Sequence, residues 1–409
     1  MTESKSRNTN RKPPLDGVRV LDLTAVVAGP YCTTMLADMG AEIAKVERED
    51  RGDDTRTAAV YAGREGHEDY FNAINRSKKS LALDLKRPAA RDVVCALAEK
   101  ADIVVENFKP GTAGRLGLGW NDLSPRNPRL LYCSISGFGQ DGPARDRLAL
   151  DPVIQAVSGM MSVTGEPDGQ PMQTGISICD VMAGMFAAYA IVSALHSVRR
   201  DGTGQYIDLS MQAAALAALG TRMGETLQAD QLPLRTANEN PMRVPANAYL
   251  AKDNRYIQIM VLNQSHWAPF CRALDHPEWI DDPRFATPAL RLKNRDAVNE
   301  RAVAAFAQRD TAEWSARLEA EGLPFAPVLN YKESLSDSQV QHRGQVKSME
   351  HPTSGTIRVV GPPWTFNDAD TPITPPPLLG QHTAAVFQDW LGWDNARLAQ
   401  FQDEYEGQA

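Results

Sequence analysis

The chain has little of what metal centres and disulfide frameworks are built from. Its five cysteines (Cys32, Cys95, Cys133, Cys179, Cys271) are odd in number, widely spaced and set mostly in apolar runs without a CxxC pair, and its seven histidines are scattered singly. Those spacings exclude the usual zinc sites and a disulfide scaffold, so buried free thiols, a reducing compartment and no metal are expected. A surplus of positive charge is also missing: 43 Lys and Arg face 51 Asp and Glu, a formal net charge of -8. No nucleic-acid partner is expected, and an anionic ligand would have to be met by a few local cations. The most apolar stretch, 181–195, looks too short for a bilayer and has helix-face periodicity, so no membrane partner is expected either. The polar, basic segment 1–13 lacks the apolar centre of a secretory leader and reads as a flexible tail. The P-loop pattern GxxxxGK(S/T), GxSxG and HExxH are absent.

What is there is ample material for more than one core. The 409 residues are 43% hydrophobic and 23% charged, which fits a folded, soluble, cytoplasmic protein of two domains. From residue 18 onward, short β-branched runs alternate with amphipathic ones. Strands are expected at 18–24, 42–47, 80–85, 102–106 and 130–136, with helices at 31–39 and 88–100 between them. This alternation predicts an α/β fold with a doubly wound, Rossmann-like parallel sheet, on which ligands sit beyond the carboxyl ends of strands. A short strand-like run is expected to end at Asp180, which then opens a helix with Val181, Met185, Ala188 and Val192 on its apolar side. The stretch from about 238 to 327, with a strand at 256–261 and Trp267, Trp279 and Trp314, reads as a smaller domain. A closing helix is expected at 384–391.

Three features bear on chemistry. Gly137-Phe-Gly139-Gln-Asp-Gly142 satisfies GxGxxG after a strand, but Pro143 and a charged run follow where a tight helix should begin, so a nicotinamide site is a distant alternative. Asp180 is by itself best read as a helix N-cap. The same place also suits a carboxylate nucleophile, which a helix N-terminus would hold ionised at a cleft. His196 lies too far along that helix to form a triad with it. Arg48, Lys86, Lys109 and Arg115 each follow a strand, so four cations gather at one predicted sheet edge, where a polyphosphate would bind.

Over nearly its whole length the chain resembles class III CoA-transferases, the formyl-CoA transferase family. The resemblance rests on Pro14-Leu-Asp-Gly-Val-Arg-Val-Leu-Asp-Leu-Thr24, Ala28-Gly-Pro30 and Leu36-Ala-Asp-Met-Gly-Ala-Glu-Ile-Ala-Lys-Val-Glu47. Val105-Glu-Asn-Phe-Lys-Pro-Gly111, Gly202-Thr-Gly-Gln205 and Pro377-Leu-Leu-Gly-Gln-His-Thr383 follow in the right order. It implies transfer of coenzyme A from an acyl-CoA thioester to a free, short-chain or dicarboxylic acid, through an aspartyl-CoA thioester on Asp180, with no metal or redox cofactor. It places Val27, Ala28, Arg48, Leu83, Asp84, Leu85, Lys86, Asn107, Phe108, Lys109 and Arg115 on the coenzyme A site. Leu148 stands where formyl-CoA transferase has a coenzyme A lysine, and the adjoining Arg147 is expected to take its role. The implied architecture is a flexible tail (1–13), a large coenzyme A-binding domain (14–215 plus 335–400) and an inserted α+β domain (225–330), with two chains interlocked as a homodimer.

Departures narrow the expectation. Val27 replaces a glutamine of formyl-CoA transferase, and that enzyme's glycine run is not found between Thr226 and Pro327, which weakens formate and oxalate as substrates. Succinyl-CoA with a small dicarboxylate is expected instead, Arg235 and Arg243 being candidate partners for the acceptor carboxylate. The α-methylacyl-CoA racemases share the fold, but Leu150 stands where they carry a histidine base. A coenzyme A-binding protein without catalysis is the other alternative.

Overall fold

The computed structural model describes residues 12–58, 68–366 and 372–407, and the described chain divides into two compact units. The first unit, built from segments up to 160, 173–231 and 342 onward, is organised by six parallel strands: β1 (Arg19–Leu23), β2 (Glu42–Glu47), β3 (Lys78–Ala82), β4 (Ile103–Glu106), β5 (Leu131–Ser136) and β6 (Gln205–Ser210). Their order across the sheet is β3-β2-β1-β4-β5-β6, all pairs parallel. The chain therefore reverses direction of travel between β1 and β4, the switch point at which open sheets leave a crevice.

The strands read as near-continuous Val, Ile and Leu because both faces of the sheet are covered. One face packs Val20, Ile43, Val105, Leu131 and Ile135 against α1 (Ala28–Asp38) and the long helix Ile178–Asp201. The other packs Leu21, Val46, Leu81, Val104 and Tyr132 against α2 (Pro88–Ala98) and two C-terminal helices, Thr383–Leu391 and Asn395–Glu406. The expected closing helix is thus the first of these two, and a further helix follows it. All five cysteines are buried and free.

The long helix departs from the sequence reading. With α3 at Asp151–Val157, it is α4, and it runs for 24 residues, long and apolar enough by length and composition to cross a membrane; the expectation from 181–195 alone undercounted it. Its buried stripe is Cys179, Ala183, Gly184, Ala187, Ala188, Ile191, Leu195 and Val198, while Met185, Phe186 and Tyr189 face outward. Small residues are inside because α1 crosses very close. A Cβ on Gly184 would stand 2.7 Å from the Ala28 carbonyl oxygen and 3.1 Å from the Cys32 nitrogen. Of the residues helical spacing put inside, Ala188 is buried and Val192 packs against the core, but Met185 faces out; backbone approach at Gly184 decided that.

The second unit, 161–172 with 232–341, has a three-stranded antiparallel sheet: β7 (Ala246–Leu250), β8 (Tyr256–Met260) and β9 (Phe325–Pro327), β8 in the centre. Its core gathers Trp267, Phe270, Phe285, Phe306 and Trp314, with Tyr249 stacked on Phe306 at 4.8 Å.

Candidate active site

The turn between β1 and α1 is held at almost every polar backbone group. Asn107, just beyond β4, accepts from the Ala25 N–H and donates to the Ala25 carbonyl, both at 2.8 Å. Asp53 accepts from the Val26 N–H at 3.2 Å, and Lys45 donates to the Thr24 carbonyl at 2.6 Å. Lys45 and Asp53 form a fully buried ion pair at 3.0 Å. Deeper still, Asp22 accepts from the Thr24 N–H at 2.9 Å, from the Thr33 hydroxyl at 2.6 Å and from Lys78 at 3.2 Å. Burial alone would push the Asp22 carboxyl up, but Lys78 and Lys45 outweigh it and hold it at about 2. Val26 is forced by this clamp into the left-handed region at φ 70°. A β-branched residue adopts that conformation only where its surroundings over-determine it.

Against this turn lies a cavity of about 230 Å³ whose walls include Val26, Val27, Ala28, Asn107, Phe108, Lys109, Ser136, Gly137, Arg145, Arg147, Leu150 and Asp180. It sits where the strand order reverses, beyond β1 and β4. The structure therefore brings Asp180 together with Val27, Ala28, Asn107, Phe108, Lys109 and Arg147. Arg48, Leu83 to Lys86 and Arg115 do not line this cavity. Arg48 donates to the Gly52 carbonyl at 3.1 Å and pairs with Asp54. Leu83 is buried, Leu85 packs against the core, and Asp84 accepts from the Lys86 N–H at 3.0 Å. These residues follow β2 and β3, so they occupy the same carboxyl edge of the sheet farther out.

Asp180 is not the cap of its helix. The N-cap position belongs to Ser177, no strand precedes it, and Asp180 sits inside the first turn. The carboxylate that meets the helix terminus comes from elsewhere: Asp151 at the start of α3 accepts from the N–H groups of Cys179 at 2.7 Å and Asp180 at 3.1 Å. Gln155 donates to the other Asp151 oxygen at 2.5 Å and is itself fixed by the Thr174 N–H at 2.9 Å. With its terminus satisfied by Asp151, α4 does not hold Asp180 ionised. Burial first, then the nearby Asp151 charge, push the Asp180 carboxyl up to about 7. A carboxylate released from water in this way is a stronger nucleophile when ionised.

Sequence reasoning missed Asp151 and Tyr70. Asp151 was visible only as the neighbour of Leu150, and nothing local announces that its side chain reaches 28 residues ahead. Tyr70 hydrogen-bonds to Ser177, and its phenol is raised by burial and then by the Asp180, Asp151 and Asp53 charges. Its sequence context carries no signal.

The alternatives can be placed as well. No helix opens at Gly137–Gly142, where the chain makes turns until α3, so the nicotinamide pattern lacks its helix N-terminus. Leu150 is exposed on the cavity wall, and among the described residues no histidine lines the cavity. A racemase would need a second base there. In the second unit, Arg243 donates to the Leu262 carbonyl at 2.8 Å and Arg235 to the carbonyls of Glu166 at 3.1 Å and Gly169 at 2.8 Å. Both guanidinium groups are engaged with backbone rather than left open. Among the described residues, no cluster of His, Cys, Asp and Glu could hold a metal ion.

Comparisons with known proteins agree with this geometry. The model of CoA-transferase family III matches residues 15–383. The chain is 38% identical over 387 residues to a succinyl-CoA:glutarate CoA-transferase of Mus musculus, covering 94% of this chain and 88% of that one. It is 33% identical over 411 residues to a formyl-CoA:oxalate CoA-transferase of Rhodopseudomonas palustris, covering 95% and 96%. The crystal structure of a CAIB/BAIF family protein from Brucella suis superposes with a TM-score of 0.83 at 32% identity, covering 93% of this chain and all of that one. The chain belongs to CoA-transferase family III and is a class III CoA-transferase.

Proposed function

We propose that this enzyme moves coenzyme A from succinyl-CoA to a second short dicarboxylic acid of the glutarate kind, through an aspartyl-CoA thioester on Asp180. The observation that carries the reading is the cavity itself: a partly buried carboxyl with an upward-shifted pKa faces Val27, Ala28 and Asn107 to Lys109 at the switch point of the sheet. The names of the Mus musculus and Rhodopseudomonas palustris relatives support acid exchange, and those of two bacterial relatives, a succinate–glutarate and a succinyl-CoA–D-citramalate CoA-transferase, support the substrate pair.

The chemistry proceeds in balanced acyl exchanges. The Asp180 carboxylate attacks the thioester carbonyl, the carbon–sulfur bond breaks, and coenzyme A leaves as thiolate from a mixed anhydride. The thiolate then attacks the aspartyl carbonyl of that anhydride, which releases the donor acid as its carboxylate and leaves coenzyme A on Asp180. An incoming carboxylate attacks this thioester to form a second anhydride. The thiolate finally attacks the acceptor carbonyl, giving the new acyl-CoA and free Asp180. Exclusion of water from the anhydride preserves the thioester's energy.

In this reading coenzyme A runs from Arg48 and Leu83 to Lys86, at the outer strands, past Arg115 and Arg147 to Val27, Ala28 and Asn107 to Lys109. The large domain is 14–215 with 335–400, a small domain of 225–330 is inserted, and two chains interlock as a cytoplasmic homodimer. The outward Met185, Phe186 and Tyr189 of α4 favour self-association. The test is to incubate the protein with a panel of acyl-CoA thioesters, quench, digest and weigh the peptide carrying Asp180. Coenzyme A on that peptide, absent in Asp180→Ala, supports the mechanism and identifies the donor. Turnover without any adduct on that peptide refutes it.

A further inference from the structure

Two cations of the first unit, Arg115 and Arg145, meet at Gly111, and a third, Lys109, borders the same cavity as that glycine. Gly111 lies in the loop after β4 at φ 80°, and its missing side chain leaves room that is used. A Cβ there would stand 3.2 Å from Arg145 Nη2 and 3.3 Å from Arg115 Nη1. The two guanidinium nitrogens can be no farther apart than those two reaches together. Lys109 stands on the same wall, because it and Arg145 border both the Asp180 cavity and an adjoining cavity of about 450 Å³ that also includes Gly111.

No described residue neutralises these charges. Among the described residues, no carboxylate lies within ion-pair distance of Lys109, Arg115 or Arg145. Among the described residues Arg115 donates only to the Thr112 hydroxyl, at 2.8 Å. The Nε of Arg145 is shut off from solvent without a hydrogen-bond partner, as is the amide nitrogen of Gln140 on the same adjoining cavity. The acids of that cavity are engaged elsewhere. Asp122 accepts from the Gly119 N–H at 3.1 Å, and Glu106 from the Phe108 N–H at 2.7 Å and from the Ser134 hydroxyl. Two guanidinium groups converging on Gly111, with a lysine on the wall of the same cavity, repel one another unless an anion sits among them.

We propose that Lys109, Arg115 and Arg145 form one oxyanion cradle that grips a phosphate of coenzyme A, with Arg145 in the role that sequence comparison assigns to Arg147. Arg147 instead lies exposed with its guanidinium 5.0 Å over the Phe138 ring. A phosphate fits the cluster better than a carboxylate does. One planar carboxylate is satisfied by a single fork, whereas a tetrahedral phosphate offers separate oxygens to donors arriving from several directions. The inference rests on the coenzyme A-transferase reading above and adds to it a residue that discriminates by charge.

The experiment uses the full chain, with Arg145→Gln and Arg145→Lys. Binding of free coenzyme A is measured by calorimetry, and turnover is measured with succinyl-CoA and with succinyl-pantetheine, which carries no phosphate. Arg145→Gln is expected to weaken coenzyme A binding and raise KM for succinyl-CoA by about tenfold or more. The KM of the acceptor acid and kcat/KM for succinyl-pantetheine stay unchanged, and Arg145→Lys recovers much of the loss. The proposal is overturned if the pantetheine thioester suffers equally, or if the acid's KM rises while coenzyme A affinity holds. Since binding is read without turnover, a protein that binds coenzyme A through Arg145 but forms no Asp180 adduct sinks the mechanism and leaves the cradle standing. A working transferase whose coenzyme A affinity ignores Arg145 does the reverse.

Discussion

Asp22 and Asp180 are both carboxyls withdrawn from water at the switch point of one sheet, and the protein treats them oppositely. Asp22 is surrounded by Lys45, Lys78 and two threonine hydroxyls and is held at about 2. Asp180 has a second carboxylate, Asp151, as its charged neighbour and is pushed up to about 7. The difference separates scaffold from chemistry. A paired charge fixes the β1–α1 turn and is held out of chemistry; an unpaired one suits the nucleophile role proposed for Asp180.

The largest expected effect comes from removing the unpaired acid. Asp180→Asn should lower kcat by roughly a thousandfold or more, as loss of a covalent nucleophile does, while the melting temperature holds or rises because a carboxyl repelled by Asp151 has gone. Activity assays beside thermal unfolding check both halves. The paired site should behave the other way round. Lys45→Met leaves Asp53 and Asp22 short of a buried partner and should destabilise the fold by about 3–5 kcal/mol in denaturant titration.

Titration sharpens the same contrast. In the proposed mechanism the nucleophile is the ionised form of Asp180, so kcat/KM should fall as pH drops through about 7, approaching tenfold per unit below it. Asp151→Asn removes the repelling charge and should move that acid limb to lower pH, while burial keeps it above the range of an exposed aspartate. A pH–rate profile that does not shift would show that burial alone sets it.

Smaller effects test the turn. Gly184→Ala should push α1 from α4 and cost about 1–3 kcal/mol of stability, with a fall in kcat as Ala28 moves relative to Asp180. Val26→Gly should relieve the left-handed backbone and raise stability by about 1 kcal/mol, read as a small increase in melting temperature.

Much of the sheet was legible beforehand because its signals are local. The strands at 42–47 and 102–106 show as short runs of β-branched residues between turns, and the same logic put residues just after strands first in line for the site. Val27, Ala28, Asn107, Phe108, Lys109 and Asp180 do share one cavity. A helix opening at Asp180 was foreseen; it begins at Ile178 with Ser177 at the cap, because Asp is equally at home as N-cap and inside the first turn. The apolar side read from periodicity was partly right, since Ala188 is buried and Val192 packs against the core, but Met185 faces out because Gly184 and its small neighbours meet the α1 backbone that only a glycine can admit.

What the sequence by itself determined is the alternation of strand and helix, the family to which those runs belong, and the place of Asp180 near a helix start. Each is a matter of neighbours within a turn or two, or of ordered motifs. Only the tertiary structure decided that Asp151 rather than Asp180 meets the terminus of α4, and that Arg145 and Arg115 converge on Gly111 while Arg147 lies over Phe138. Those choices depend on how loops from different strands pack against one another. Burial and the sign of a neighbouring charge, which set the chemistry of a carboxyl, exist only once that packing is complete.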